Sequence, residues 1–152
     1  MAWIVKNFHE LTTAELYQII QHRVNIFIVE QQSIYEDLDG HNQNSLHIIY
    51  QEKGEIVAYA RLLPPGEKYE EVSFGRVVVA REKRGTGLGK ELVAFTMQQA
   101  KGRWATTNIF IEAQNYLKRF YEEFGFVATS EPYELDNVPH IDMLYFNSVE
   151  NS

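Results

Sequence analysis

The chain has 152 residues, 45% of them hydrophobic and none of them cysteine. That length suits one domain with a proper core, and the missing thiols exclude disulfides, thiolate nucleophiles and Cys-ligated zinc. A formal charge of −7 without a basic stripe argues against nucleic-acid binding, while an acidic surface suits cationic amines or simple solubility. Residues 3–8 read as a first strand. Thr12-Thr13-Ala14-Glu15 has capping-box spacing ahead of an apolar stripe at Leu16, Ile19, Ile20, Val24 and Phe27. Residues 31–45 are polar and read as a long connection, a kind of segment that often carries function. Residues 46–51 and 56–63 predict two strands joined by a tight turn at Lys53-Gly54. After Pro64-Pro65-Gly66 come a strand at 73–79, a glycine-rich turn, and a helix to about residue 101. A short buried strand at 109–113 leads into a helix with Leu117, Phe120, Tyr121 and Phe124 on one face, stopped by Gly125. Residues 126–129 and 141–146 close the domain as strands.

This order, β-α-β-β-β-α-β-α-β-β, predicts an α/β (α+β) fold over residues 1–152, a mixed sheet with helices on both faces. The sequence shows no repeat or linker. No stretch reaches the ~18 apolar residues of a transmembrane helix, and the start lacks a basic region followed by a long apolar one. A cytoplasmic enzyme with no membrane partner, monomeric or homodimeric, is the expectation.

The hexapeptide Arg84-Gly85-Thr86-Gly87-Leu88-Gly89 lies between a strand end and a helix start. Such a turn aims several backbone N–H groups at one point, where the helix terminus adds partial positive charge. Phosphate is the expected anion. The nucleotide-hydrolase loop is excluded because Arg84 and Glu91 occupy positions that need Gly and Ser or Thr. The dinucleotide fingerprint fails at Lys90, where its third glycine belongs. What remains, Arg-x-x-Gly-x-Gly after a strand, resembles the pyrophosphate loop of the GNAT superfamily of N-acetyltransferases, which bind acetyl-coenzyme A.

A second block agrees: Tyr121-x-x-x-Gly125-Phe126, preceded by the strand Ile109-Phe110-Ile111-Glu112-Ala113, resembles the other signature of that superfamily. A narrower resemblance covers nearly the whole chain. Phe27-Ile28-Val29-Glu30-Gln31, Tyr35-Glu36-Asp37-Leu38-Asp39-Gly40, Ala58-Tyr59-Ala60-Arg61, Gly75-Arg76-Val77 and Pro139-His140-Ile141 are similar to the ElaA-like subgroup. The resemblance implies that two parallel strands, ending at Val79 and Ala113, splay apart to admit the coenzyme. It implies direct acetyl transfer to a primary amine of a small molecule or an exposed peptide amine, with no metal.

On that resemblance, Arg84, Gly85, Thr86, Gly87, Leu88 and Gly89 hold the pyrophosphate. Val77, Val78 and Val79 bond pantetheine through their backbone, the Val78 N–H polarising the thioester carbonyl. Tyr121 reaches the sulfur as general acid; its other reading is a core tyrosine. Gln114 stands where the family often has Asn and is expected to bond the coenzyme. Glu30, Asp39, Arg61 and Arg76 are polar residues in apolar contexts, fitting either a buried ion-pair network or the acceptor pocket. None of the five histidines has helical metal-site spacing. His47 and His140, in or beside strands, could relay a proton from the amine or be structural. Glu112 and held water are further candidate bases. The competing reading is a non-catalytic acyl-coenzyme A sensor, which would keep the socket without proton chemistry.

Overall fold

A computed structural model describes residues 2–30, with Glu30 only as backbone, together with 37–105 and 107–147. Its strands are β1 Ala2–Asn7, β2 Leu46–Glu52, β3 Glu55–Leu63, β4 Val72–Val79, β5 Ile109–Gln114, β6 Val127–Ala128, β7 Tyr133–Leu135 and β8 Val138–Tyr145. Its helices are α1 Thr13–Arg23, α2 Leu88–Arg103 and α3 Lys118–Glu122. Sheet order is β1-β2-β3-β4-β5-β8-β6, with β7 added on β8. The β4–β5 pair is parallel and its neighbours are antiparallel, so the sheet is mixed.

Local chemistry explains most boundaries. Thr12 accepts a hydrogen bond from the Glu15 N–H and Glu15 answers to the Thr12 N–H, so α1 starts on a full capping box. Lys53 and Gly54 have φ of 51° and 79°, the left-handed pair that turns β2 into β3. Asp136 and Asn137, at 52° and 65°, do the same between β7 and β8. The sequence reading lacked β7: it is three residues long and has no run of alternation to show it. That hairpin also starts β8 at Val138, ahead of the expected 141. α1 continues through a wider π-type helical segment, Val24–Glu30, which carries the half-buried Ile26 and Phe27 to the wall of the cleft described below.

The sheet is covered on both faces. On one, α2 and α3 bury Leu92, Met97 and Tyr121 against Ile48, Leu62, Ile109 and Met143. On the other, Ile19 of α1 closes over Ile49, Ile56 and Tyr59. Among the described residues, no helix is long and apolar enough to cross a membrane.

Candidate active site

β4 and β5 pair only at Val72 with Ile109 and Ser73 with Phe110. Beyond that point they part. The cause lies in β4, where Arg76 and Val77 together oppose Ala60 of β3 while Tyr59 faces Val78 and Arg61 faces Gly75. Arg76 takes φ of 52°, a left-handed conformation that a non-glycine residue adopts only when its surroundings hold it there. This bulge bends β4 away from β5. A cleft of about 920 Å³ opens between the strands, lined by Val77, Val78, Val79, Gly89, Ala113, Gln114, Tyr121 and His140 among others.

The backbone of β4 has two edges. The Ala80 N–H donates to Val57 O at 2.8 Å, and Val78 faces Tyr59 in the same ladder. Strand alternation therefore aims the Val78 N–H at β3 and those of Val77 and Val79 at the split. This corrects the expectation for Val78, whose N–H is turned into the sheet.

Past β4 the chain enters the glycine loop. Gly85 and Gly87 have φ of 79° and 88°, so a side chain at either would be strained by the turn itself. Gly87 is the N-cap of α2, and Glu91 N–H bonds back to its carbonyl at 3.1 Å. The Leu88, Gly89 and Lys90 N–H groups precede the helical ladder and have no partner within it. Gly89 differs from the other two. Its φ lies outside the left-handed region, and an added Cβ would meet only Val79 Cγ2 at 3.9 Å. Nothing in the protein requires glycine there, whereas a phosphate approaching these N–H groups would. Thr86 Oγ1 donates to Lys83 O at 2.5 Å, so its side chain serves the loop. Arg84 is exposed, its Nε donating to Val79 O at 3.4 Å.

Tyr121 is 6% exposed and lines the cleft from the α3 side, among Phe74, Phe120 and Phe126. Burial, with the Tyr116 phenol adding to it, pushes its pKa up, so it is protonated at neutral pH.

The other wall is polar. Arg61 grips Asp39 bidentately at 2.7 and 2.9 Å, and Arg76 bonds Asp37 Oδ1 at 3.0 Å and Asp39 Oδ2 at 3.3 Å. Arg23, 1% exposed, pairs with Asp37 at 3.0 Å and bonds Asn42 at 3.1 Å. Burial works against the Asp39 anion, yet the hydrogen bonds and charge of Arg61 dominate together and hold its carboxyl well below the usual range. The network fastens the connection before β2 to the bulge of β4.

Glu112 lines the same cleft directly opposite Asp142 in the β5–β8 ladder. The Tyr69 hydroxyl donates to Glu112, and the Tyr133 hydroxyl bridges the carboxylates, 2.5 Å from Asp142 and 3.2 Å from Glu112. Burial, then these carboxylates, raises both phenol pKa values, so the phenols remain donors. His140 reaches the cleft beside them, its ring 6.4 Å from that of Tyr133. His140 Nδ1 lies 2.7 Å from Val138 O, which requires a proton on Nδ1, and among the described residues Nε2 has no hydrogen-bond partner.

Comparison with known proteins now adds to this geometry. The model of the acetyltransferase (GNAT) domain matches residues 13–145. The chain belongs to the GNAT acetyltransferase family. Within it, protein ElaA of Escherichia coli K12 is 36% identical over 143 residues, covering 93% of this chain and 94% of the relative. The crystal structure of Escherichia coli ElaA matches with a TM-score of 0.89, over 95% of this chain and 98% of that one. An acyl-CoA N-acyltransferase from Pseudomonas aeruginosa matches at 0.90 and 36% identity, over 95% and 99% of the two chains. The GNAT fold is one that binds acyl-coenzyme A, and the split, the open strand edge and the Gly89 cradle fit such a ligand.

The structure thus brings most of the sequence-selected residues to this GNAT cleft: the three valines, Arg84, Gly89, Gln114, Tyr121, Asp39, Arg61, Arg76, Glu112 and His140. Asp39, Arg61 and Arg76 belong both to the ion-pair network and to the cleft wall, two roles that had stood as alternatives. His47 is not among the lining residues. It is 1% exposed, its Nε2–H donating to Asn42 O at 3.0 Å and its Nδ1 accepting from Tyr59 at 2.7 Å. The Glu30 side chain and Tyr35 lie outside the described residues. Sequence reasoning missed Lys68, Tyr69 and Tyr133, because only the tertiary fold carries those loop and short-strand residues to Glu112.

Proposed function

We propose that this GNAT protein transfers an acetyl group from acetyl-coenzyme A directly to a primary amine, on a small molecule or an exposed peptide. The observation that carries the reading is adjacency: the open edge of β4 ends at Val79, and Gly89, at the start of α2, stands beside that residue in the same cleft. A pantetheine in the split and its pyrophosphate on the cradle use the two together.

In this reading the loop from Arg84 to Gly89 holds the pyrophosphate, chiefly through backbone N–H groups. Val77 and Val79 bond the pantetheine, and the Val77 N–H polarises the thioester carbonyl, a kind of donor typically worth ~3 kcal/mol. Gln114, at the far lip, bonds the coenzyme from β5. Tyr121 protonates the departing thiolate. An ammonium must lose a proton before it attacks, and His140 Nε2 is the base, with Asp39, Arg61, Arg76 and Glu112 shaping the acceptor side.

Two measurements test this. Acetyl-coenzyme A at 100 times its dissociation constant adds about 2.7 kcal/mol of stability, read as a rise in melting temperature. A panel of primary amines should then release coenzyme A with at least one acceptor. Binding without release from any amine supports the sensor reading instead. No binding rejects both.

A further inference from the structure

Among the described residues lining the cleft, Lys68 is the one lysine. Its Nζ lies 3.8 Å from Glu112 and 5.5 Å from the centre of the Tyr69 ring. The loop that carries it is clamped on both sides: Glu67 pairs with His41 at 2.8 Å, Gly66 N–H donates to Tyr69 O at 2.7 Å, and the Tyr69 hydroxyl donates to Glu112. These contacts turn the Lys68 stem toward the split. Glu112 stands two positions past Phe110, the last β5 residue paired with β4, and so sits where the strands part. Other lysines hold partners elsewhere, Lys6 on Glu15 at 2.9 Å and Lys83 on Glu52 at 2.6 Å. A primary amine of the protein's own thus occupies the acceptor side of the cleft, beside a carboxylate.

We propose that Lys68 is a site of self-acylation, an intramolecular transfer from acetyl-coenzyme A bound in the same cleft; this rests on the acetyltransferase reading above. The Lys68 ammonium gives one proton to Glu112, which passes it to solvent. The neutral Nζ, on its flexible four-carbon stem, attacks the thioester carbonyl. The N–C bond forms and the C–S bond breaks. Coenzyme A leaves as its thiolate and is protonated to the thiol by Tyr121, which recovers a proton from solvent, while the amide nitrogen sheds its second proton to water. The product is neutral, so its ion pair with Glu112 is lost and that carboxylate becomes available to an incoming ammonium.

The experiment incubates the full chain with acetyl-coenzyme A and no added amine, then maps acetylated lysines by mass spectrometry over time, with melting temperature as the binding control. Lys68 should be modified at least tenfold faster than exposed Lys90, with a rate constant independent of protein concentration. Lys68→Arg keeps the charge and should remove that signal without speeding any other site. Glu112→Gln should slow modification of Lys68 alone. Acetyl groups spread evenly over the lysines, or a rate constant that rises with protein concentration, would overturn the proposal. So would an unmodified Lys68 in a protein whose melting temperature rises with acetyl-coenzyme A, an outcome that leaves the acceptor reading standing. Neither a melting shift nor modification would overturn both.

Discussion

Gly89 and Val79 approach so loosely that a Cβ on Gly89 would sit 3.9 Å from Val79 Cγ2, an ordinary contact. Gly87, two residues earlier, is bound to glycine by its φ of 88°. The pair separates ligand space from backbone need. Gly89→Ala should keep the fold and gain about 0.4–1 kcal/mol from reduced freedom of the unfolded chain. Coenzyme affinity should fall in the same variant, measured by calorimetry beside a melting curve. Gly87→Val should lower both affinity and stability, since a β-branched residue strains a turn with that φ. Undiminished affinity in Gly89→Ala would remove the cradle from the site.

Tyr121→Phe keeps the ring among Phe74, Phe120 and Phe126 and deletes only the proton. General acid catalysis contributes roughly 100- to 10,000-fold, so the turnover number should drop by that order while coenzyme affinity holds. Steady-state kinetics with chemistry rate-limiting decide it. Full turnover would leave Tyr121 as a packing residue.

His140 has one nitrogen committed to Val138 O and the other free. If Nε2 takes the amine proton, His140→Ala should lower the turnover number by roughly 100- to 10,000-fold while coenzyme affinity holds. Steady-state kinetics with chemistry rate-limiting check it. Unchanged turnover would assign the proton to Glu112 or water.

Burial, with Arg23 and Arg61 adding to it, lowers the His47 pKa to about 4, so this imidazole stays neutral while an unfolded chain would protonate it near 6.5. Between those values the unfolded state binds more protons, so stability falls as pH drops from about 6.5 to about 4. The linked loss is on the order of 3 kcal/mol. Chemical denaturation of the wild type and His47→Gln across that range checks it. The variant should start less stable and show a shallower slope. Parallel slopes would assign the acid sensitivity to other groups.

Much of this was legible in the residues. The Thr12–Glu15 capping box, the Lys53-Gly54 turn, Gly125 ending the tyrosine helix and the glycine loop between strand and helix are local chemistry, and each appears where the pattern placed it. Periodicity marked the inner face of α2, while on α1 the buried face joins Ile19 to Glu15 and Arg23, which no apolar pattern could show. Both family signatures lie in contiguous stretches, so the family and the fold followed from them.

What lies across a strand could not be read along it. A shift of one residue in pairing turns every side chain and every N–H to the opposite side, and nothing local records that choice. Only the tertiary structure turned the Val78 N–H into the sheet and those of Val77 and Val79 into the split. It alone set Glu112 against Asp142 with Tyr133 between them, and sealed His47 between Tyr59 and Asn42. The left-handed Arg76 is the same lesson at one residue. Its identity does not ask for that conformation, and the carboxylates of Asp37 and Asp39, brought from a distant segment, hold it there. Sequence determined what each element is; packing decided which atoms face the cleft, because facing depends on partners far away in the chain.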